Sequence, residues 1–421
     1  MSIFTRKKIT DFLIYGFGQV INLASPLFVM PLIIYKCGED GLGKVGVGFS
    51  LALILSGIID YGSYIHGVKE ISINRDNKMI LENRLKAIYF SKLLLFLMVF
   101  AFALVLIFTV PFFSKDKPLF FLSLTIVVGQ FINPQWFFQG VENFKWISFA
   151  NVTSKIIYIL LVILFIKEKT DYVYANLFFG VVAIIGNGIG LIWLINKYSF
   201  SLNGFSLKDA ITIIKVEFSF SVSQFFLSMY QFFPIIMISY IGGDFMAGQF
   251  RVIDQIVTIF KTYLNMFFYF VYSNVCYELN LNFKKGIKVW KQYNGLNFIL
   301  LFTVMAAFFI FSDLILTYFK IDKERITLMS EYFRVGLLVP LLVSISQPLR
   351  QLMFAFNENK IYIRITIIAT LLNFIMLFIL TKSLGLKGAF LSIIVIEFFV
   401  IILYSKIVTK HIVGETININ E

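Results

Sequence analysis

Apolar runs of membrane-spanning length follow one another almost without pause along this chain, and that succession limits the fold more than any single motif does. Hydrophobic residues make up 59% of the 421 positions and charged residues 14%. An ordinary globular domain carries about 25% charged residues, so a water-soluble core is excluded. A helix needs about 20 predominantly apolar residues to cross a bilayer, whereas barrel strands would be about ten residues long with alternating polarity. On that rule about twelve spans are read, at 11–35, 44–66, 87–111, 119–139, 147–166, 173–196, 215–240, 246–273, 293–319, 329–356, 362–381 and 386–405. The expected class is an all-α integral membrane protein. The loops between spans are too short to form a separate soluble domain.

Basic residues flank the spans unevenly: about 20 Lys and Arg fall on the side of the N-terminus and about 11 on the other, which places both termini in the cytoplasm. Arg6, Lys7 and Lys8 precede a first span too long for a cleaved signal, so that span is expected to act as its own insertion signal. The net charge of +13 reflects this bias together with contact to anionic headgroups, and it implies no nucleic-acid partner. Cys37 and Cys276 fall on opposite sides of the membrane, so no disulfide is expected. Neither His66 nor His411 is spaced with a Ser or Cys nucleophile, and no metal-ligating cluster is visible. There is no Gly-rich phosphate loop with a lysine, so no cofactor and no ATP-driven step is expected.

The two halves resemble each other. Asp11, Tyr15, Gly18, Asn22 and Ser25 step by 4, 3, 4, 3, and Glu217, Ser221, Gln224, Ser228 and Gln231 repeat the pattern in the seventh span. Each of these spans carries a proline towards its outer end, Pro26 and Pro234. Spans two and eight both open after Gly-x-x-x-x-Gly, Gly41 to Gly46 and Gly243 to Gly248. An even number of spans per half makes the repeats parallel. The expectation is two six-helix lobes, 1–200 and 201–421, around a central cavity. Asn22, Gln224 and Ser228 are candidates for its polar lining, and interhelical hydrogen bonding is the other reading of the same stripe.

Charge inside the spans is the chemically informative part. Arg251, Asp254, Thr258, Lys261 and Asn265 are spaced 3, 4, 3, 4 and fall within roughly an 80° arc of one helical face, with apolar residues between them. A charge at mid-bilayer costs roughly 2.5–3.5 kcal/mol on insertion scales, so such a face is expected to meet water or a polar partner. Lys155 lies near the middle of span five, and Arg350 follows Pro348 in a polar stretch where a broken helix is expected. Lys155, Arg251, Lys261 and Arg350 are read as a cationic site for anionic cargo, against the alternative of buried ion pairs; Thr258 and Asn265 are read as lining beside them. Asp254 is within a turn of Arg251 and is first explained as its partner. Glu397 either takes up a proton or pairs with Arg350 or Lys261. Asp60 is either a coupling acid or one member of a solvated pair at a helix end. Near the span ends, Lys92 is expected to snorkel to the interface, and Arg334 to pair with Glu331.

Several phrases are similar to a known family. Asp60-Tyr61-Gly62, Lys69-Glu70-Ile71-Ser72 and Asn74-Arg75-Asp76 follow span two, and Pro134-Gln135-Trp136-Phe137-Phe138-Gln139-Gly140-Val141-Glu142 ends span four. With Asp171-Tyr172 before span six, this pattern resembles bacterial oligosaccharide flippases of the Wzx type, within the multidrug, oligosaccharidyl-lipid and polysaccharide exporters. Lys69 departs from the family's more usual arginine and keeps the charge. The resemblance implies a flippase rather than an enzyme, moving undecaprenyl-diphosphate-linked oligosaccharide for O-antigen or capsule assembly from the cytoplasmic to the periplasmic leaflet of the inner membrane. Membrane lipid would be its surroundings, and polymerase and chain-length proteins of the same pathway its neighbours. A cation-coupled drug or metabolite antiporter of the same superfamily, and a membrane polymerase or ligase of the pathway, are the rival readings.

Overall fold

A computed structural model of the chain describes residues 6–60, 63, 67–201, 203–204 and 206–418, with the side chains of 6–17, 19, 219, 220, 223 and 415–418 left aside. Tyr61, Gly62 and His66 lie outside the described residues, as do the side chains of Asp11 and Tyr15. Among the described residues the structure is helical without strands. Nine helices among the described residues are long and apolar enough to cross a membrane. Three of them contain a glycine at positive φ that folds one helix into two: Gly38 in Arg6–Asp60, Gly243 in Leu207–Leu281 and Gly385 in Asn359–Asn418. Counted as pairs, they bring the total to about twelve crossings, as the apolar runs require.

The turns at Gly38 (φ 78°, ψ 174°) and Gly243 (φ 83°, ψ 169°) have the same backbone conformation in the two halves. That region of φ/ψ space is essentially reserved for glycine. The structural counterpart of Gly243 is therefore Gly38, not Gly41 as the Gly-x-x-x-x-Gly pairing predicts. Asparagine and aspartate start several other helices: Asn77 accepts from Ile80 N (3.2 Å), Asp116 from Leu119 N (3.4 Å), Asn143 from Trp146 N (3.4 Å) and Asn282 from Lys285 N (2.9 Å). Each satisfies an N–H that the helix itself leaves unbonded.

The chain divides into two compact units, Met1–Ile236 and Met237–Glu421. In the first, Lys117–Ile132 packs on Val173–Tyr198 through small residues. A Cβ on Gly129 would lie 2.9 Å from Ala183 Cβ, and one on Gly180 would overlap the backbone at Thr125 and Ile126. Close approach of this kind is how membrane helices associate without a hydrophobic drive between them. Asn176 adds polar ties, donating to Val45 O (3.0 Å) and Ser123 Oγ (2.9 Å). In the second unit, Leu338–Ala355 packs on Asn359–Asn418 around Leu352, Met353, Ile365 and Tyr404. Along Lys78–Thr109, Leu95, Val99, Ala103 and Ile107 are buried while Met98, Phe102 and Val105 are exposed, which separates a packing face from an apolar lipid-facing one.

The family-like phrases meet in space. Trp136, Phe137 and Phe138 of Gln135–Gly140 are buried with Ile71, Leu81 and Leu85. Gly140 sits so close to Ile71 that a Cβ there would come within 2.6 Å of its side chain. Arg75 reaches Glu142 at 3.5 Å, and Arg84 reaches Glu70 at 3.0 Å. Cys37 and Cys276 are free thiols.

At Gly38 no atom lies within 4 Å of a prospective Cβ, so the cost of a side chain there is backbone strain alone. Gly38→Ala should lower stability in detergent by about 1–3 kcal/mol. Gly188→Ala, in open space within a helix, should not lower it, and thermal unfolding of the two purified variants separates them.

Candidate functional site

In the first unit, Arg6–Asp60 ends on an acid that faces two other helices. Lys92 Nζ lies 3.1 Å from Asp60 Oδ1, and Gln130 Nε2 donates to Asp60 Oδ2 at 2.5 Å. Lys92 also donates to Gln130 O (3.3 Å) and lies 5.9 Å from the Tyr89 ring centroid. Its side chain is 1% exposed, so the snorkelling expectation is overturned: Lys92 points into the protein because Asp60 awaits it there. Asp60, 19% exposed, is tied to this buried lysine and to the amide of Gln130.

Lys155 stands apart from any acid. Its ammonium is 4.0 Å from the Phe179 ring centroid, and Phe49 and Tyr158 meet that ring edge-on at 5.1 and 5.3 Å. Among the described residues no carboxylate lies within ion-pair distance of it. Asn22, Gln224 and Ser228 are half-buried. The Ser228 hydroxyl lies 2.9 Å from where a Gly57 Cβ would stand, so it borders span two. Asn22 accepts at its backbone carbonyl from Ser25 Oγ (3.2 Å).

In the second unit the charged stripe of span eight is present and partly neutralised. Arg251 Nη1 lies 3.5 Å from Asp254 Oδ2, as the spacing implies. Thr258 accepts at its carbonyl from Thr262 (2.8 Å), and Lys261 is half-buried with no carboxylate in ion-pair distance among the described residues. At the far end of the stripe, Asn265 Oδ1 accepts from Gln347 Nε2 (2.8 Å) and Arg350 Nη2 (3.2 Å), while Nη2 also donates to Gln347 Oε1 (2.5 Å). The Arg350 guanidinium lies 4.7 Å from the Phe268 ring centroid, and its buried Nε has no acceptor. Three neutral groups thus fix a guanidinium and leave N–H capacity unused; such a fork binds carboxylate or phosphate in two-point fashion.

Nearby, Ser346 donates to Glu397 Oε2 at 3.1 Å. Tyr404 is within electrostatic reach of both Glu397 and Arg350. Leu338–Ala355 runs helically through Pro348, so the expected break there is wrong; the helix instead changes at Leu337. Trp290 Nε1 donates to Pro348 O (3.1 Å), a polar tie beside the proline. Arg334 does not pair with Glu331. It donates to Ser312 Oγ (3.1 Å) and lies 5.0 Å from the Phe309 ring centroid. Among the described residues no cluster of His, Cys, Asp or Glu is arranged for a metal.

Sequence reasoning passed over Gln347 and Gln130. Gln347 stands three residues before Arg350 on the same helical face, a spacing that would have found it. Gln130 meets Asp60 across 70 positions of sequence, for which no local pattern exists.

A family described as "Polysaccharide biosynthesis protein" matches residues 9–272. A "Putative O-antigen transporter" of Escherichia coli (strain K12) is 24% identical over 386 residues, covering 90% of this chain and 91% of that one. A protein of the same description from Shigella dysenteriae is 24% identical over 404 residues, covering 94% and 98%. Among solved structures, an inward-facing multidrug resistance MATE family transporter of the MOP superfamily aligns with TM-score 0.72 at 17% identity, over 93% of this chain and 95% of its own. The lipid II flippase MurJ, in an inward closed conformation, aligns with TM-score 0.73 at 14% identity, over 96% and 87%. At these identities the structural likeness establishes the fold alone: an all-α, multi-pass membrane architecture of about 12 helices.

Removing Lys92 leaves Asp60 without its counter-charge. Lys92→Met should destabilise the protein by about 3–5 kcal/mol, the scale for breaking a buried pair on one side. Adding Asp60→Asn should recover most of the loss. A double-mutant cycle read by thermal unfolding checks both; additive losses would mean the two groups are not coupled.

Proposed function

The chain belongs to the polysaccharide biosynthesis protein family, and from that membership we propose that it is a flippase for undecaprenyl-diphosphate-linked oligosaccharide. It carries an O-antigen or capsule repeat unit from the cytoplasmic to the periplasmic leaflet of the bacterial inner membrane, with both termini cytoplasmic. The cycle is alternating access of two six-helix lobes, 1–200 and 201–421, driven by an ion gradient or the membrane potential. Coupling would run through Asp60, Asp254 or Glu397. Polymerase and chain-length proteins of the same pathway would receive the product.

One observation carries this reading. Of the bases inside the spans, Lys92 and Arg251 have carboxylate partners, whereas Lys155, Lys261 and Arg350, and Arg334 near the outer end of its span, have none within ion-pair distance among the described residues; Arg334 is met by Ser312 at that end, which leaves the other three. An intramembrane cation costs roughly 2.5–3.5 kcal/mol and is retained where it has work to do. A diphosphate is the anion such groups suit, with Arg350 as a planar fork and the lysines as compact charges. The sugars would be met by Asn22, Gln224, Ser228, Thr258 and Asn265. The description of the two curated relatives as O-antigen transporters supports the cargo class, and a site of free cations disfavours the cationic drugs an antiporter would carry.

The test is surface-glycan display in a strain deleted for the gene and complemented at matched membrane abundance. Lys261→Ala should lower display about tenfold or more, since a charge-assisted contact is worth roughly 1.5–3 kcal/mol, and Lys261→Arg should keep part of it. Equal display by wild type and Lys261→Ala would remove Lys261 from the cargo site. An intact glycan in the deletion strain would overturn the flippase reading in favour of an antiporter.

A further inference from the structure

A guanidinium has two edges on which N–H groups point in parallel, one formed by Nε with Nη2 and the other by Nη1 with Nη2. A phosphate gripped at two points needs one of these edges. Nη2 belongs to both. In Arg350 the two N–H groups of Nη2 meet two acceptors, Asn265 Oδ1 at 3.2 Å and Gln347 Oε1 at 2.5 Å. Gln347 Nε2 closes the ring by donating to Asn265 Oδ1 at 2.8 Å. The N–H groups left over, on Nε and Nη1, stand on different edges, and Nε is buried. Arg350 thus keeps its charge but has no free two-point edge.

The ring of bonds joins two elements. Asn265 lies on the charged stripe of Leu207–Leu281, and Gln347 stands one turn before Arg350 in Leu338–Ala355. Asn265 is exposed and Gln347 is buried, so the asparagine is the member that an arriving group meets first. Lys261 precedes Asn265 by one turn on the same face, about 6 Å away in rise. An anion drawn to that ammonium therefore arrives beside the ring. The two elements do not depend on it for their contact: Gln351 donates to Phe268 O (3.1 Å) and accepts from Asn294 Nδ2 (3.1 Å). Phe268 also meets Phe354 edge-on at 6.0 Å. Opening the ring leaves this packing in place.

We propose that Gln347 and Asn265 form a clasp on Arg350, and that these positioning residues must release Nη2 before the cargo's diphosphate is gripped at two points. The proposal rests on the flippase reading for its cargo and adds the step that admits it. A site whose competent form is only partly populated binds more weakly by that fraction, and an anion that bonds only the open form draws the balance towards it. The amides give way because a phosphate offers charged acceptors, whose hydrogen bonds to a guanidinium are stronger than those of neutral amides. Until then the clasp keeps an intramembrane guanidinium bonded and ordered without cancelling its charge. Asn265, once released, is free to turn to the sugars.

The experiment measures binding of undecaprenyl diphosphate, which carries no sugar, to the full chain in phosphatidylcholine nanodiscs, with thermal unfolding of each variant recorded alongside. Gln347→Leu removes one acceptor and should tighten binding about tenfold, the scale of one hydrogen bond to a charged group. Gln347→Glu sets a carboxylate against the guanidinium and should weaken binding about tenfold or more. Opposite shifts from one position, at an unchanged unfolding temperature, are not the mark of a merely structural residue. Asn265→Leu should also tighten binding, and it carries the test should Gln347→Leu fail to fold. Weaker or unchanged binding in both leucine variants overturns the proposal, because residues that only preorganise Arg350 give that result. So does an absence of binding in wild type and every variant. Opposite shifts together with an intact glycan in the deletion strain would keep the clasp and overturn only the flippase reading.

Discussion

A charge placed among membrane helices has to be met by another charge, by water or by a polarisable surface, and which of these this protein uses decides what each intramembrane base can do. Lys92 is answered by Asp60 and Arg251 by Asp254, so both are internally settled. Lys155 is answered by the face of Phe179 at 4.0 Å. A desolvated cation–π contact returns about 2 kcal/mol against an insertion cost of roughly 2.5–3.5, so Lys155 is held but not neutralised. Arg350 is treated in a third way, framed by the amides of Asn265 and Gln347 and the Phe268 ring. Amides orient a guanidinium without cancelling its charge, which is the condition for binding an anion that arrives from outside.

The fold supplies these environments through a few backbone devices. Glycines at Gly38 and Gly243 fold long helices back on themselves, and the departure of span four from its helix at Asn133 brings Gln130 to Asp60 while opening a small pocket beside Trp146. The phrases that carry the family resemblance prove to be a packing unit, with Ile71 against Gly140 and Arg75 on Glu142. They lock the loop after span two onto the end of span four, while the intramembrane bases without carboxylate partners lie elsewhere in sequence.

What could be read without coordinates follows from the range of the forces involved. Span length is a property of consecutive residues, so the crossings were legible, and so was the Arg251–Asp254 pair, which is set by helical periodicity. Lys92 was misjudged because its partner is 32 positions away on another helix, and distance from a span's end says nothing of what lies across the interface. Arg334 was misjudged in the opposite sense: a local acid, Glu331, was available, yet tertiary packing offered Ser312 and Phe309. Pro348 did not break its helix, because membrane helices absorb proline when neighbours satisfy the freed groups. The small pocket beside Trp146 had no sequence signature at all, being made by two glycines, a chain sidestep and amides from three separate segments.

The central claim is that the bases without acids, and not intramembrane bases in general, hold the diphosphate. The most direct measurement is the affinity of undecaprenyl diphosphate for the purified protein by native mass spectrometry, comparing neutralisation of Lys155, Lys261 and Arg350 with neutralisation of Lys92 in an Asp60→Asn background. The account predicts weaker binding for each of the first three and little change for the fourth. Equal losses at all four positions, or none at any, would contradict it.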